Sequence, residues 1–270
     1  MPLDYQINDS LRREFDRDGA ICLRSCVDNT WLERLRESAA EAMRLAPSDP
    51  GMYYFKRIRL WQKIPGFAAF CTQSHLPALA AELLSTDKVN LLYDQLFVKD
   101  TSMVEPTTWH NDQPYWPVRG GGAMSFWVAI EDLDASMGTL EFIRGSHKWE
   151  AWYQPIVGDE VGKVKSVPDT HPGYIAMPDF ETQRDRYEMI KWDLKAGDAI
   201  AFHALAVHGS TGNTSNKATR WAYSVRYAAK ENRYLDVSQI PGHNVDLENP
   251  ELATDDLLDS EMFPVVYRSA

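Results

Sequence analysis

Cysteine is scarce in this chain: Cys22, Cys26 and Cys71 form an odd set without the paired spacing of a metal clip or a disulfide framework. They read as reduced core thiols. Positive charge is short as well, with 28 Lys and Arg against 39 Asp and Glu and a formal net charge of −11. Such a field repels phosphate backbones and anionic lipid surfaces, so neither nucleic acid nor a membrane is an expected partner. Long apolar runs are missing: the longest, Ala199 to Val207, is interrupted by His203 and falls far short of the roughly 20 residues that cross a bilayer. The opening MPLDYQINDSLRREFDRDG lacks the apolar stretch of a secretory signal, and a cytoplasmic location is the expectation. Neither Gly-x-Ser-x-Gly nor a phosphate-cradling glycine loop occurs, which leaves nucleophile-elbow hydrolysis and phosphoryl transfer without support. No repeat and no Ser- or Gly-rich linker divides the 270 residues, so a single domain over 1–270 is expected.

What is present is enough apolar material for a core, 44% hydrophobic against 25% charged residues. The first third, 1–88, carries helical periodicity. Leu11 and Phe15 lie four apart, Thr30 to Glu33 has capping-box spacing before Leu32, Leu35, Ala39 and Ala42, and a further helix is expected over Pro77 to Leu84. From Val89 the texture changes to short runs rich in β-branched and aromatic residues at 89–99, 124–130, 139–143, 198–207 and 219–228. Gly, Pro, Asn and Asp clusters separate them, with no regular helix between. This predicts a mainly β chain with flanking helices, an antiparallel sandwich or jelly roll over 89–230, followed by a C-terminal extension over 231–270. Residues 150–189, with Pro155, Pro168, Pro172 and Pro178, are too long and irregular for a simple connection and are expected to form a loop or lid.

The chemistry concentrates in two segments. In His110-Asn111-Asp112 two ligand-type side chains stand at i and i+2, which on an extended strand project from one face. The segment Gly197 to Ser210 then offers His208, with Arg220 twelve residues further on along an apolar-rich strand. Two neutral imidazoles and one carboxylate on one face of Fe(II) leave adjacent positions open, as expected of oxygen-activating non-haem iron sites. A bidentate 2-oxo acid and O2 fit those positions. The far carboxylate of such an acid needs a charge-assisted partner, and the planar fork of Arg220 suits it better than a lysine. Ser210 adds a hydroxyl donor.

These residues sit among further landmarks in a fixed order: Asp16-Arg17-Asp18-Gly19, Asp94-Gln95-Leu96 with Lys99, Trp109-His110-Asn111-Asp112-Gln113-Pro114-Tyr115-Trp116, Ser125 to Asp132, Gly138-Thr139-Leu140, and Gly145-Ser146-His147. On them the chain resembles, from Asp16 to Ala228, the phytanoyl-CoA dioxygenase family of Fe(II)/2-oxoglutarate oxygenases, and it looks similar to the ectoine hydroxylases. The resemblance implies a double-stranded β-helix, a cupin-like jelly roll. It implies iron bound by His110, Asp112 and His208, with Arg220 and Ser210 gripping the distal carboxylate of 2-oxoglutarate. Gln95, Trp127 and Lys56 fall where family members line the cosubstrate pocket. Two departures stand out: Arg144 replaces the usual Pro before Gly-Ser-His, and His208 to Arg220 is one residue longer than in relatives. Halogenating relatives carry Gly or Ala at the metal carboxylate, whereas Asp112 fills it here, so hydroxylation is the expected outcome.

Tyr115 and Trp116, just past the metal motif, are candidate substrate contacts, as is Arg57 in the basic knot of Lys56, Arg57 and Arg59. His203 lies five residues before His208, on the opposite face of a regular strand, and His147 belongs to a turn; both are expected to pack. The functional expectation is a dioxygenase that hydroxylates an aliphatic C–H of a small molecule while 2-oxoglutarate becomes succinate and CO2. An acyl-CoA substrate, or desaturation, epoxidation or cyclisation, uses the same centre. Two other classes remain open on the residues alone: a zinc hydrolase on the same ligands, and a jelly-roll binding module in which the histidines staple the fold. Oligomeric state is not legible.

Overall fold

In the computed structural model, which describes residues 5–45, 54–99, 101, 106–155, 157–159, 163–165, 173–215, 218–238 and 247–269, the two periodicities separate along the chain. The helices are α1 (Asp9–Asp18), α2 (Asn29–Leu45), α3 (Pro65–Gln73) and α4 (Leu76–Leu83). Strands β1 (Ala20–Leu23) and β2 (Tyr54–Ile58) lie among them. Then follow β3 (Lys88–Lys99), β4 (Thr107–His110), β5 (Val118–Arg119), β6 (Ala123–Ala129) and β7 (Leu140–Ile143). After these come β8 (Val157–Asp159), β9 (Lys163–Lys165), β10 (Met189–Lys191), β11 (Ala199–His203) and β12 (His208–Ser210). The last are β13 (Arg220–Ala229), β14 (Arg233–Tyr234) and β15 (Val265–Arg268).

Local signals set the helix ends. Asn8 caps α1 by accepting Leu11 N–H at 2.9 Å, and Gly19 closes it in the left-handed region at φ 78°. A side chain at Gly19 would strike the His147 ring, 2.3 Å from Nδ1, so the turn and the later Gly-Ser-His segment pack as a unit. Helix α2 starts two residues earlier than the capping-box spacing suggests. Asp28, not Thr30, accepts the Trp31 N–H at 2.9 Å, because a carboxylate three residues before a free amide is the stronger cap. Helix α4 matches the expected apolar run, with Pro77 in its first turn. Helix α3 was not anticipated, since its sequence PGFAAFCTQ is apolar on most sides and shows little periodicity.

The strands form two facing sheets that do not close into a barrel. The large one runs β1-β11-β6-β13-β3-β15, with β2 also on β3; the small one runs β10-β7-β12-β4. All the pairings within these sheets are antiparallel. This is the expected jelly-roll architecture, and period-2 alternation explains its layers. Leu96, Val98, Phe126, Val128, Tyr223 and Val225 turn outward and bury against Phe67, Phe70 and Leu79 of the helices. Their neighbours Trp127, Ala129, Ile200, Phe202 and Ala222 turn inward to meet Leu140 and Phe142 of the small sheet. Strand β13 is covered on both faces, so it reads as a nearly continuous apolar run. The C-terminal extension adds β15 to the edge of β3 and places Leu258 and Phe263 over one end of the sandwich.

Of the expected lid, residues 156, 160–162 and 166–172 lie outside the described residues. The stretch 173–189 is tied down on the outer side of the small sheet: Phe180 packs on Trp109 and Trp149, and Arg184 reaches Glu141 of β7 at 2.6 Å. Cys22, Cys26 and Cys71 are free thiols. No helix among the described residues is long and apolar enough to cross a membrane.

Candidate metal and cosubstrate centre

Strand pairing brings the three candidate ligands together. His110 ends β4 and His208 begins β12, directly opposite each other in register, so both rings leave the same face with centroids 4.3 Å apart. Asp112 follows two residues after His110, where its N–H and that of Gln113 both bind Ala204 O, at 2.9 and 3.0 Å. Its Oδ1 lies 3.5 Å from His110 Nε2 and 3.9 Å from His208 Nε2. One ligand atom from each residue falls within 4.8 Å of the others, which suits a single small cation.

The protonation pattern favours metal. His110 Nδ1 donates to Thr108 O at 2.8 Å and His208 Nδ1 to Ala206 O at 3.0 Å. Each ring is therefore held as the tautomer that leaves Nε2 as a lone-pair donor. Burial, reinforced by the neighbouring His110, lowers the His208 pKa to about 4, so it is neutral at physiological pH. Burial pushes Asp112 up, but the adjoining His110 and His208, charged when protonated in acid, together with Arg226, outweigh it and hold the carboxyl well below the usual range. Ser125 Oγ also donates to Asp112 Oδ2, at 3.4 Å.

Beyond the triad, the inner face of the large sheet is polar where a closed core would be apolar. Arg220 is buried; its Nη1 donates to Gly138 O at 2.5 Å and its guanidinium lies 5.6 Å from the Trp127 ring. Ser210 is buried on β12, and its Oγ, like Thr139 Oγ1 and Ser224 Oγ, has no partner among the described residues. Buried hydroxyls beside a guanidinium make a receptor for an anionic, oxygen-rich ligand. A 2-oxo dicarboxylate bound to a metal at the triad fits that set.

Each expected site residue now has a place. His110, Asp112 and His208 converge; Arg220, Trp127 and Ser210 share the polar interior; and Gln95 turns into the same interior to meet Arg226 at 2.8 Å. Tyr115 stands edge-on to His110 with centroids 6.0 Å apart, at the rim. Two expectations need correction. Trp116 is 1% exposed and packs edge-on to Tyr93 beside Val118 and Phe263, so its face is covered by core and not offered to a substrate. Arg57 pairs in register with Leu96, whose side chain belongs to the helix-facing core. Alternation therefore sends Arg57 away from the metal. Lys56 pairs with Phe97 on the inner face, and its side chain lies outside the described residues. His203 and His147 pack against each other, centroids 5.3 Å apart, and His203 Nε2 bonds Gly121 O at 2.7 Å. Neither approaches the triad's set of ligand atoms.

Two more polar side chains join the interior: Arg226, unmarked in the sequence, and Lys99, until here a landmark without a role. Arg226 faces the interior from β13, and Lys99 sits across from Arg220 in register, its Nζ donating to Thr107 Oγ1 at 3.2 Å. The signal was available: on one strand, residues 220 and 226 share parity, so an inward Arg220 implies an inward Arg226.

A jelly roll with two histidines and one carboxylate at the mouth of a polar interior defines the class of non-haem iron oxygenases. The chain belongs to the phytanoyl-CoA dioxygenase (PhyH) family, whose sequence profile matches residues 15–222. It is thus a 2-oxoglutarate-dependent dioxygenase with a His-Asp-His centre suited to iron. The peroxisomal phytanoyl-CoA dioxygenase of Rattus norvegicus is 22% identical over 265 residues, covering 90% of this chain and 74% of that enzyme. Among solved structures, the non-haem α-ketoglutarate-dependent carbocyclase SnoK of nogalamycin biosynthesis is 18% identical with a TM-score of 0.75, covering 96% of both chains. EctD from S. alaskensis, solved with 2-oxoglutarate and 5-hydroxyectoine, is 21% identical with a TM-score of 0.68, covering 97% of this chain and 88% of that one.

Proposed function

We propose that this dioxygenase oxidises an aliphatic C–H bond of a small molecule at an iron held by His110, Asp112 and His208, with 2-oxoglutarate anchored by Arg220 and Ser210. The observation that carries the reading is the pairing of a compact ligand triad with a buried guanidinium and with hydroxyls that have no partner among the described residues. Iron with bound 2-oxo acid and O2 supplies the oxidising power, releasing succinate and CO2. The protein supplies placement. The two backbone carbonyls fix the imidazoles, Ser125 steadies Asp112, and Arg220 sets how deep the dicarboxylate lies. Tyr115, next to His110 at the rim, is the substrate-side wall.

A zinc hydrolase needs the triad but gives no role to Arg220, Ser210 or Ser224. Hydroxylation is preferred to desaturation or cyclisation on family grounds, and the fold itself does not choose among them. A small metabolite is favoured over an acyl-CoA because the chain offers no extended basic patch for nucleotide phosphates and Arg57 of the basic knot turns from the metal. The test is anaerobic: Fe(II) and 2-oxoglutarate are added to the protein and a visible metal-to-ligand charge-transfer band is sought. A band that needs both additions supports the reading; its absence, with iron bound, sinks it. Arg220→Ala is expected to raise the 2-oxoglutarate requirement while leaving iron stoichiometry intact.

A further inference from the structure

The turn that links β11 to β12 holds two of the metal-ligand candidates without a polar side chain of its own. Its residues are Ala204, Leu205, Ala206 and Val207. Ala204 O accepts the N–H groups of Asp112 and Gln113 at 2.9 and 3.0 Å, and Ala206 O accepts His208 Nδ1–H at 3.0 Å. Both carbonyls must point in fixed directions, and an apolar tetrapeptide needs outside partners to keep them there. The far end is anchored: Val207 N–H donates to Ser146 Oγ at 2.8 Å, and Val207 O accepts Ile143 N–H at 3.0 Å. The near end rests on His203.

The His203 ring is used on both sides. Nδ1 accepts Leu205 N–H at 3.0 Å, inside the turn, and Nε2 donates to Gly121 O at 2.7 Å. A backbone N–H can only donate, so Nδ1 carries the lone pair and Nε2 the proton. This tautomer is opposite to that of His110 and His208, and it leaves His203 no nitrogen to offer a metal. Burial lowers its pKa, which keeps the ring neutral as the two bonds require. Gly121 lies in the run Gly120-Gly121-Gly122 ahead of β6, where the chain has little stiffness of its own. The neighbouring Gly120 O accepts Gln113 Nε2–H at 2.7 Å. The bonds close a circuit: Ala204 to Gln113, Gln113 to Gly120, and Gly121 through His203 back to Leu205. Asp112 N–H is bonded to the same Ala204 O.

We propose that His203 is a positioning residue for the metal centre: by joining Leu205 N–H to Gly121 O it fixes the turn whose carbonyls hold Asp112 and His208, and so raises metal affinity. It rests on the oxygenase reading above for the identity of that centre. Filling the space against His147, with centroids 5.3 Å apart, needs only a flat ring. Two bonds from one ring to two separate segments are more than packing calls for. Removing a group that orients a metal ligand costs about 10- to 100-fold in affinity, and because His203 acts through main chain the lower figure, about 10-fold, applies.

Full-length protein stripped of metal is titrated anaerobically with Fe(II), and separately with Co(II), read by calorimetry and by the visible absorption of bound Co(II), which reports ligand geometry. His203→Phe keeps a ring and loses both bonds. It is expected to weaken both metals about 10-fold and to shift the Co(II) spectrum. His203→Asn is smaller, but its Oδ1 is placed to accept the N–H two residues on, as in an Asx turn. It is expected to recover most of the lost affinity. A packing role predicts the reverse order, with the ring-bearing variant nearer to wild type. If His203→Phe lacks a cooperative melt, His203→Met replaces it with the same expectation. Wild-type metal affinity in the folded Phe or Met variant, or affinity no higher for Asn than for that variant, overturns the proposal and leaves the oxygenase reading standing. A wild-type protein that binds neither metal overturns both.

Discussion

Asp94→Asn should change how the stability of this protein depends on pH, and the structure sets both sign and size. Asp94 is sealed between β3 and the helices. Its Oδ2 accepts the Tyr223 hydroxyl and, at 3.0 Å, the Trp61 N–H, while Oδ1 has no partner among the described residues. Burial therefore dominates and lifts the pKa from 3.8 to about 6, with the hydrogen bonds and Arg226 opposing it. Below the unfolded value both states hold the proton and nothing is lost. As pH climbs through the window from 3.8 to about 6, the unfolded chain releases the proton while the native state keeps it, so stability falls. Above that window both states are ionised and the full cost is present, about 3 kcal/mol at ~1.4 kcal/mol per pH unit. Asparagine keeps an acceptor for Tyr223 and Trp61 and carries no charge. Urea unfolding of metal-free wild type and variant at pH 4, 5, 6 and 7 gives the difference curve. The variant should gain about 3 kcal/mol on the wild type between the two ends. Parallel curves would show that Asp94 titrates as an exposed carboxyl does, and the reasoning about its orphaned oxygen would be wrong.

Other outcomes follow from single contacts. His110→Ala or Asp112→Ala should abolish stoichiometric iron and the charge-transfer band, checked by metal analysis after gel filtration, while far-UV circular dichroism stays native. Phe142→Ala removes a fully buried ring that packs on Phe202 and His208, with centroids 5.0 and 5.3 Å away. It should cost about 3–5 kcal/mol in chemical unfolding and weaken iron binding as His208 loses its wall. Gly138 has φ 74°, a Cβ there would lie 2.3 Å from Thr211 O, and its carbonyl accepts Arg220. Gly138→Ala should therefore lower the melting temperature and raise the 2-oxoglutarate Kd together; a changed melt with an unchanged Kd would detach Arg220 from that turn.

Much of this could be read from the residues in order. The triad was legible from the His110-x-Asp112 spacing and His208, although β4 stops at His110 and Asp112 opens a 3-10 turn instead of extending the strand; the β-rich runs from Val89 matched β3, β6, β7, β11 and β13 to within a residue or two at most ends, with β11 stopping at His203, four residues short. Harder to see was anything decided by pairing partners. Arg57 looked available until β2 was found against β3, where one step of register sends it to the helix side. Trp116 follows a short 3-10 turn, Gln113–Tyr115, whose direction no periodicity reveals. Helix α3 hides because it is buried on most of its circumference, and Asp28 displaced Thr30 because capping depends on which carboxylate meets a free amide. Arg226 was obscured by its apolar neighbours in SVRYAA, although parity with Arg220 gave the clue.

Each metal-ligand candidate imidazole is clasped by the peptide carbonyl two positions behind it, so the main chain and not another acidic side chain sets the aim of the lone pairs. A nest whose ligands are already oriented asks little rearrangement of an arriving ion. Loading and stripping of iron should then be reversible on a scaffold that stays folded, and a chelator should yield an intact apoprotein ready to be refilled.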